Sequence, residues 1–479
     1  MVVISRHQEQ VAITAIVACY LVLGILFAVL TPAWQVPDEP AHYNYIRQLA
    51  DGRLPVIEPG DYDQEALARL KSERFPAGSP LVAIQYEDHQ PPLYYLLATP
   101  LYWLFGGALL PLRLFSVLLG AGVVVLAWAT GRRVVAGRPL IPMAAAGLVA
   151  TIPQHVAMLA GVNNDSLAEL LLALALLSAV GLLEVQRPSR PWLYGLLLGA
   201  IFLTKSQAYV AAPVLGMAII VRWWRRERDR SWLARWLIGV FGPGLLIGGL
   251  WWARNLAVYG GLDWMGLAQH NLVVAGQPTT AGWIVANGFG ATLRRFFQFT
   301  FQSFWGMFGW MGVVLDTRIY QALAVLTGVL ALGFGLHLAR RATLYRHRAL
   351  AAAPWVLSFS AALTAGGYLW YNVTFVQHQG RYLFPALIPL SLAAGAGLSE
   401  LARPRVARIV AMVLIGAGVI CLLAGALYLT VFCVGAGVII QLNSALAPRH
   451  RWASSVALVL GLAALALISL LFFIRPALA

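Results

Sequence analysis

Apolar runs of roughly twenty residues, the length that crosses a bilayer, recur from one end of this chain to the other, with short polar stretches between them. The first is Val11–Leu30, with only Arg6 among the basic residues close before it and no small-residue cleavage site after it, so it reads as an uncleaved anchor. Further spans are predicted at Leu112–Thr130, Pro139–Val156, Asp165–Leu183, Trp192–Leu203, Gln207–Val221, Trp236–Val258, Ile319–Leu338, Ala352–Leu369 and Leu383–Leu398. Ile409–Leu442 is too long for one ordinary span and barely long enough for two. The pattern predicts an all-α polytopic membrane protein with about 11–13 transmembrane helices. No soluble domain, linker or internal repeat interrupts it.

The charges orient this array. The polar runs Gly131–Arg138, Glu184–Arg190, Arg222–Arg235, Arg340–Arg348 and Arg403–Arg408 are short and arginine-rich, which places them on the cytoplasmic side and against anionic lipid heads. The loop 32–112 then lies outside and is the largest polar segment. Within it, Pro91–Gly107 is short and rich in Tyr and Trp. If it spanned, Arg132, Arg133 and Arg138 would be forced outside, so it reads as an interfacial helix. Two further outer segments are expected at 259–318 and 371–381. The chain thus divides into a first region, residues 1–183, which includes the outer loop 32–112, and a second, residues 184–479, which contributes further helices and the other two outer segments.

Composition agrees and excludes one class. The chain is 60% hydrophobic and 11% charged, with mean hydropathy +0.74, so its net charge of +15 belongs to loops facing lipid and not to a nucleic-acid surface. The acids behave oppositely: all those of the first loop, with Asp165, Asp263 and Asp316, fall on the outer side. Carboxylate chemistry is therefore expected at the extracytoplasmic face of the cell membrane. Cys19, Cys421 and Cys433 lie in apolar segments without paired spacing and read as small hydrophobes.

The densest chemistry follows the first span, in Gln35–Pro55, where Asp38 and Glu39 stand side by side at the water boundary. Asp38-Glu39-Pro40 has the form of a helix start, and a helix N-terminus favours an ionised Asp38, as a general base requires. A plain capping role is the alternative. His42 lies one turn further on the same face. A second constellation, Tyr86–Tyr95, runs Glu87, Asp88, His89 and Gln90 into two prolines; Asp88 or His89 is a candidate to face the same cavity, or this is a solvated helix start. Asn163-Asn164-Asp165 stands at the outer end of a span, with Glu169 one turn deeper, and serves as a site or as a cap. Arg113, Lys205, Arg254 and Arg381 are single cations at outer ends of spans. Each is explained by snorkelling alone, or the four form a phosphate clamp. Arg381, close to His378 in a short loop, is the strongest of them. His270 and His378 have no spacing diagnostic of zinc. The sequence requires no cofactor and is compatible with a divalent metal. It holds no nucleotide-binding loop and no cytoplasmic segment large enough for a nucleotide sugar, so a group donor used outside must be lipid-linked.

An acid pair after the first span, two prolines leading an interfacial helix and an arginine opening the next span together resemble the GT-C superfamily. These are polytopic glycosyltransferases that use polyprenyl-phosphate sugars, including the protein O-mannosyltransferases and the aminoarabinose transferases. The resemblance is carried by Met1–Leu183, and beyond that by topology and by Gln379-Gly380-Arg381-Tyr382-Leu383-Phe384-Pro385. It implies that Asp38 is the catalytic base on an acceptor hydroxyl of a glycan, lipid or protein, with Glu39 supporting it. It sets His89 and Gln90 where relatives carry a basic residue near the donor phosphate; Gln90 departs from a lysine there. It matches Asp165 to an acid at the outer end of a later span. The rival classes are a secondary transporter or lipid flippase, which places ionisable groups near the bilayer midplane, and a noncatalytic membrane scaffold. The apolar middles of the spans and the intact acid pair argue against them.

Overall fold

The computed structural model describes residues 5–76, 78–135, 137–184, 190–344, 352–446 and 452–478. Parts of the expected basic loops Gly131–Arg138, Glu184–Arg190 and Arg340–Arg348 lie outside the described residues. The helices of the first half are α1 (Arg6–Leu30), α2 (Glu39–Ala50), α3 (Gln64–Ser72), α4 (Leu93–Leu104), α5 (Leu109–Val134), α6 (Leu140–Thr151), α7 (Pro153–Leu159), α8 (Asp165–Leu183), α9 (Pro191–Phe202) and α10 (Ala211–Arg222). The second half holds α11 (Arg230–Tyr259), α12 (Leu267–Val273), α13 (Thr280–Asn287), α14 (Phe289–Trp305), the two-residue strands β1 (Met307–Phe308) and β2 (Val313–Val314), α15 (Thr317–Leu344), α16 (Ala352–Thr374), α17 (Leu387–Leu401), α18 (Pro404–Leu423), α19 (Leu427–Ala445), α20 (Ala453–Ile468) and α21 (Arg475–Leu478). The strands pair antiparallel, Met307 opposite Val314.

By length and composition, nine helices among the described residues can cross a membrane, and α6 with α7 forms a tenth span bent by 62°. The chain is a multi-pass membrane protein. With α16, 23 residues long, the count is eleven, the lower end of the expected range. α9 is as long as its expected span, and α10 starts later than its own because the chain between them unwinds at Lys205 and re-enters through a 3₁₀ turn, Ser206–Val210. The ambiguous stretch Ile409–Leu442 proves to be two helices, α18 and α19, separated at Gly425, whose φ of 75° ends α18. α4 has 12 residues, ~18 Å of helix, too short to span.

The predicted span Pro139–Val156 is broken for a readable reason. Pro153 has no N–H, so the Val149 carbonyl one turn earlier loses its helical partner, and Ile152 takes the extended conformation favoured before proline (ψ 118°). His155 Nδ1 lies 2.8 Å from that carbonyl and satisfies it. A carbonyl only accepts, so Nδ1 carries the proton.

α1, α5, α6, α8, α10 and α17 pack around one apolar core that includes Tyr20, Phe27, Val124, Val149, Leu176 and Leu215. A smaller cluster of Tyr45, Ile46, Tyr94, Tyr95, Leu112 and Val162 fastens α2 and α4 to the end of the bundle where α1 finishes and α5 and α8 begin. A third, with Leu67, Leu70, Phe75, Ile84 and Tyr86, sits under the loop carrying α3. The candidate residues gather at this loop-bearing end.

Candidate active site

Asp38 is the last residue before α2, and Pro40 occupies the first turn, where its missing N–H is harmless. The helix starts where the sequence indicates, but the Asp38 side chain makes no capping bond to it. Asp38 adopts a left-handed conformation (φ 68°), uncommon for a residue with a Cβ and tolerated by aspartate. This turns the carboxylate away from the helix. Oδ1 accepts from the Tyr86 hydroxyl at 2.9 Å and Oδ2 from Arg381 Nη2 at 3.0 Å. Burial pushes the Asp38 carboxyl up, but Arg381, His42 and the Tyr86 hydroxyl outweigh it and hold it at about 2. The side chain remains 23% exposed, so a substrate can reach it.

Glu39 does something different. It is fully buried, and its carboxylate takes both Nε (2.7 Å) and Nη2 (2.6 Å) of Arg113 together with the backbone N–H groups of Trp34 (3.0 Å) and Val162 (3.2 Å). Arg113 spends its other donors on the carbonyls of Ala28, Thr31 and Pro32. The pair ties the end of α1, the start of α2, the first turn of α5 and the link between α7 and α8 to one point. It supports Asp38 by fixing the residue next to it, and it leaves Arg113 no donor for a phosphate.

Arg381 reaches Asp38 across 343 positions of sequence. Gly380 makes this possible: a Cβ there would run into the α14 backbone at Thr300 and Phe304, and its N–H is held by Ser303 Oγ at 2.7 Å. Arg381 Nε donates to Gln379 Oε1 at 2.7 Å, and Nη1 meets the Met158 sulfur at 3.7 Å. One turn into the bundle, Lys205 Nζ lies 2.6 Å from Asp165 Oδ1. Asp165 in turn stands at the start of α8, where Asn163 Oδ1 accepts its N–H. A cavity lined by Asp165, Glu169, Gln207 and Arg381 joins the two ion pairs.

The remaining candidates lie around this mouth. His42 is buried; burial keeps its ring below its ordinary pKa, and Nδ1 bonds the Tyr95 hydroxyl at 2.8 Å. His89 is also buried and held well below its usual range, first by burial and then by His270, whose ring centroid lies 4.4 Å away. Its Nε2 faces the Gln90 amide at 3.4 Å, and Gln90 Oε1 accepts from Asn164 at 3.3 Å, so these residues form a chain of neutral bonds from the outer loop to α8. Arg254 is bound to the Pro55 carbonyl, Asn255 and Tyr259 and lies over Trp251. His378 packs edge-on to Phe296. Among the described residues no group of three or more His, Cys, Asp or Glu is placed to hold a metal ion. The three cysteines are free.

Asp88 turns away from Asp38: its Oδ2 accepts from Gln48 at 2.6 Å and its Oδ1 is buried without a partner. Burial raises it to about 8 from an ordinary 3.8, the Gln48 bond opposing. The folded protein then binds this proton more tightly than the unfolded chain does, so stability falls as pH rises from about 4 to about 8. Asp88→Asn keeps the acceptor for Gln48 and removes the titration. Its thermal unfolding midpoint is expected to approach the parent's near pH 4 and to exceed it increasingly up to about pH 8. A variant no more stable than the parent at the upper end would contradict this assignment.

Three features of the site escape a reading of the sequence. Tyr86 lies beside the Glu87–Gln90 run, and its role depends on the φ of Asp38. Lys71, on α3, lies 4.1 Å over the Trp310 ring and within the field of Asp38, and burial lowers its pKa. His155 Nε2 meets Glu169 Oε2 at 2.8 Å inside the bundle. Only the Ile152-Pro153 dipeptide hints at that last contact, by marking a helix break.

Residues 89–247, about a third of the chain, match the family described as dolichyl-phosphate-mannose-protein mannosyltransferase. No curated protein matches by sequence. Among solved structures, the fold is similar to that of ArnT from Cupriavidus metallidurans bound to undecaprenyl phosphate, with a TM-score of 0.53 and 16% identity over 95% of this chain and 76% of that one. The same protein in the apo state gives a TM-score of 0.52 and 14% identity with the same coverage. At these identities the likeness is one of fold.

Proposed function

We propose that this chain, a membrane protein of the GT-C superfamily, moves a sugar from a polyprenyl-phosphate donor to a hydroxyl group of an extracytoplasmic glycan, lipid or protein at the cell membrane, with Asp38 as the base. The observation that carries this reading is the Asp38–Arg381 pair at the mouth of an apolar bundle, with Lys205 and Asp165 beside it. It sets a reachable carboxylate next to a phosphate-binding guanidinium where a lipid-linked phosphate can approach from the bilayer. The matched family and the undecaprenyl phosphate bound to the ArnT neighbour support the same donor class.

The chemistry needs little else. Asp38 takes the acceptor hydroxyl proton as the oxygen attacks the anomeric carbon. The bond from that carbon to the phosphate oxygen breaks, and the lipid phosphate leaves with the electron pair. Direct attack inverts the anomeric centre. Arg381 and Lys205 stabilise charge as it gathers on the leaving phosphate. Of the four cations considered from the sequence, Arg113 and Arg254 hold backbone carbonyls, whereas Arg381 and Lys205 bond only side chains. The clamp is therefore assigned to the other two.

The test is chemical. Purified protein is incubated with polyprenyl-phosphate sugars and envelope extract from its own host, and free polyprenyl phosphate is followed by mass spectrometry. Release that requires both donor and extract is expected. Absence of release with every donor in the host pool would overturn the reading.

A further inference from the structure

We propose that Arg381 and Lys205 are exchange cations: each is paired with a carboxylate, and the incoming donor phosphate draws Arg381 off Asp38, so that the base is freed only once donor is bound. This rests on the glycosyltransferase reading above and specifies how its site is armed.

Paired as it is, Asp38 is closed as a base. Both oxygens of Asp38 are engaged, one by the Tyr86 hydroxyl and one by Arg381. A carboxylate held at about 2 is a poor proton acceptor, so the pairing must loosen before Asp38 can act. The two kinds of arginine at this end of the bundle differ in how they are held. Arg113 is forked on a carboxylate and fastened to three backbone carbonyls, contacts that no ligand replaces without unpinning α1 from α5. Arg381 holds one carboxylate oxygen through one nitrogen, a glutamine side chain through another, and a thioether, a weak acceptor, through the third. None of these is backbone. A guanidinium with a nitrogen on sulfur gains by turning toward phosphate, where it can bond in a bidentate manner.

Charge count favours the exchange as the reaction proceeds. The donor is a phosphodiester with one negative charge, whereas the departing monoester carries up to about two near neutral pH. Arg381 answers the first charge. Lys205, paired with Asp165, which lines one cavity with Arg381, answers the second as it develops. Donor binding therefore precedes productive acceptor binding, and the lipid phosphate product competes with both carboxylates.

The consequence is counterintuitive. Asp38→Asn removes the competitor for Arg381, so this catalytically crippled variant should bind lipid phosphate more tightly than the parent. Binding of undecaprenyl phosphate to the purified full chain in nanodiscs is the measurement. Asp38→Asn is expected to tighten it by about fivefold or more, within the usual range for coupled sites. The gain should vanish in Asp38→Asn combined with Arg381→Met. Asp165→Asn, which frees Lys205, carries the same expectation and serves if the first variant does not fold. If the parent binds and both single variants bind equally or more weakly, the exchange is wrong and the glycosyltransferase reading stands. If the parent does not bind undecaprenyl phosphate at all, the donor reading falls and the exchange with it.

Discussion

Asp38→Asn is expected to lower sugar transfer by about 10²–10⁴-fold, the range usual for loss of a positioned general base, while the protein folds and inserts as before. The asparagine still accepts the Tyr86 hydroxyl bond and still fits the turn before α2, because asparagine tolerates a left-handed conformation. The charge, the proton-accepting oxygen and the pairing with Arg381 are lost. A structural role would show itself otherwise. The variant would then be less stable, and its activity per folded molecule would be near that of the parent. Transfer rate normalised to monodisperse protein separates the two.

The neighbouring acid should respond in the reverse manner. Glu39→Gln or Arg113→Met is expected to destabilise the protein by about 3–5 kcal/mol, because each leaves the other charge buried and unpaired. Four segments meet at this pair, so the loss is felt in the anchoring of α1, α2, α5 and the turn before α8 together. The double substitution Glu39→Gln with Arg113→Met should recover some of the loss, since no lone charge remains buried. Thermal unfolding of the four proteins in one detergent gives the cycle. Single variants as stable as the parent would contradict the anchoring role.

On the proposed reading two adjacent acids divide the labour, and nothing in their spacing announces which does what. Whatever depends on local pattern is legible in the chain. The apolar run Asp165–Leu183 is the helix α8 residue for residue. The two prolines at 91 and 92 lead a short helix too brief to span, as the loop charges require. Arg381, singled out in the sequence among the four cations, lies against Asp38, and the Gly380 before it is explained by the approach of α14. What the sequence hides depends on neighbours distant along the chain. Arg113 and Arg254 look like Arg381 as single cations at span ends, and only the structure shows that they hold backbone carbonyls while Arg381 holds side chains. Asp88 is as good a candidate by sequence as His89 to face Asp38, yet Gln48 claims it. The break at Pro153 leaves no mark on hydropathy, because the apolar pattern runs straight through it, and is signalled only by the Ile152-Pro153 dipeptide.

The most direct test is complementation in the native host. A strain lacking the gene is restored with the unaltered chain or with Asp38→Asn at equal membrane abundance, and polyprenyl-phosphate sugars and envelope glycans are read by mass spectrometry. Deletion should cause one lipid-linked sugar to accumulate and the matching sugar to disappear from a glycan. Only the unaltered chain should reverse both. If Asp38→Asn restores the glycan in full, Asp38 is not the base and the proposed mechanism is wrong.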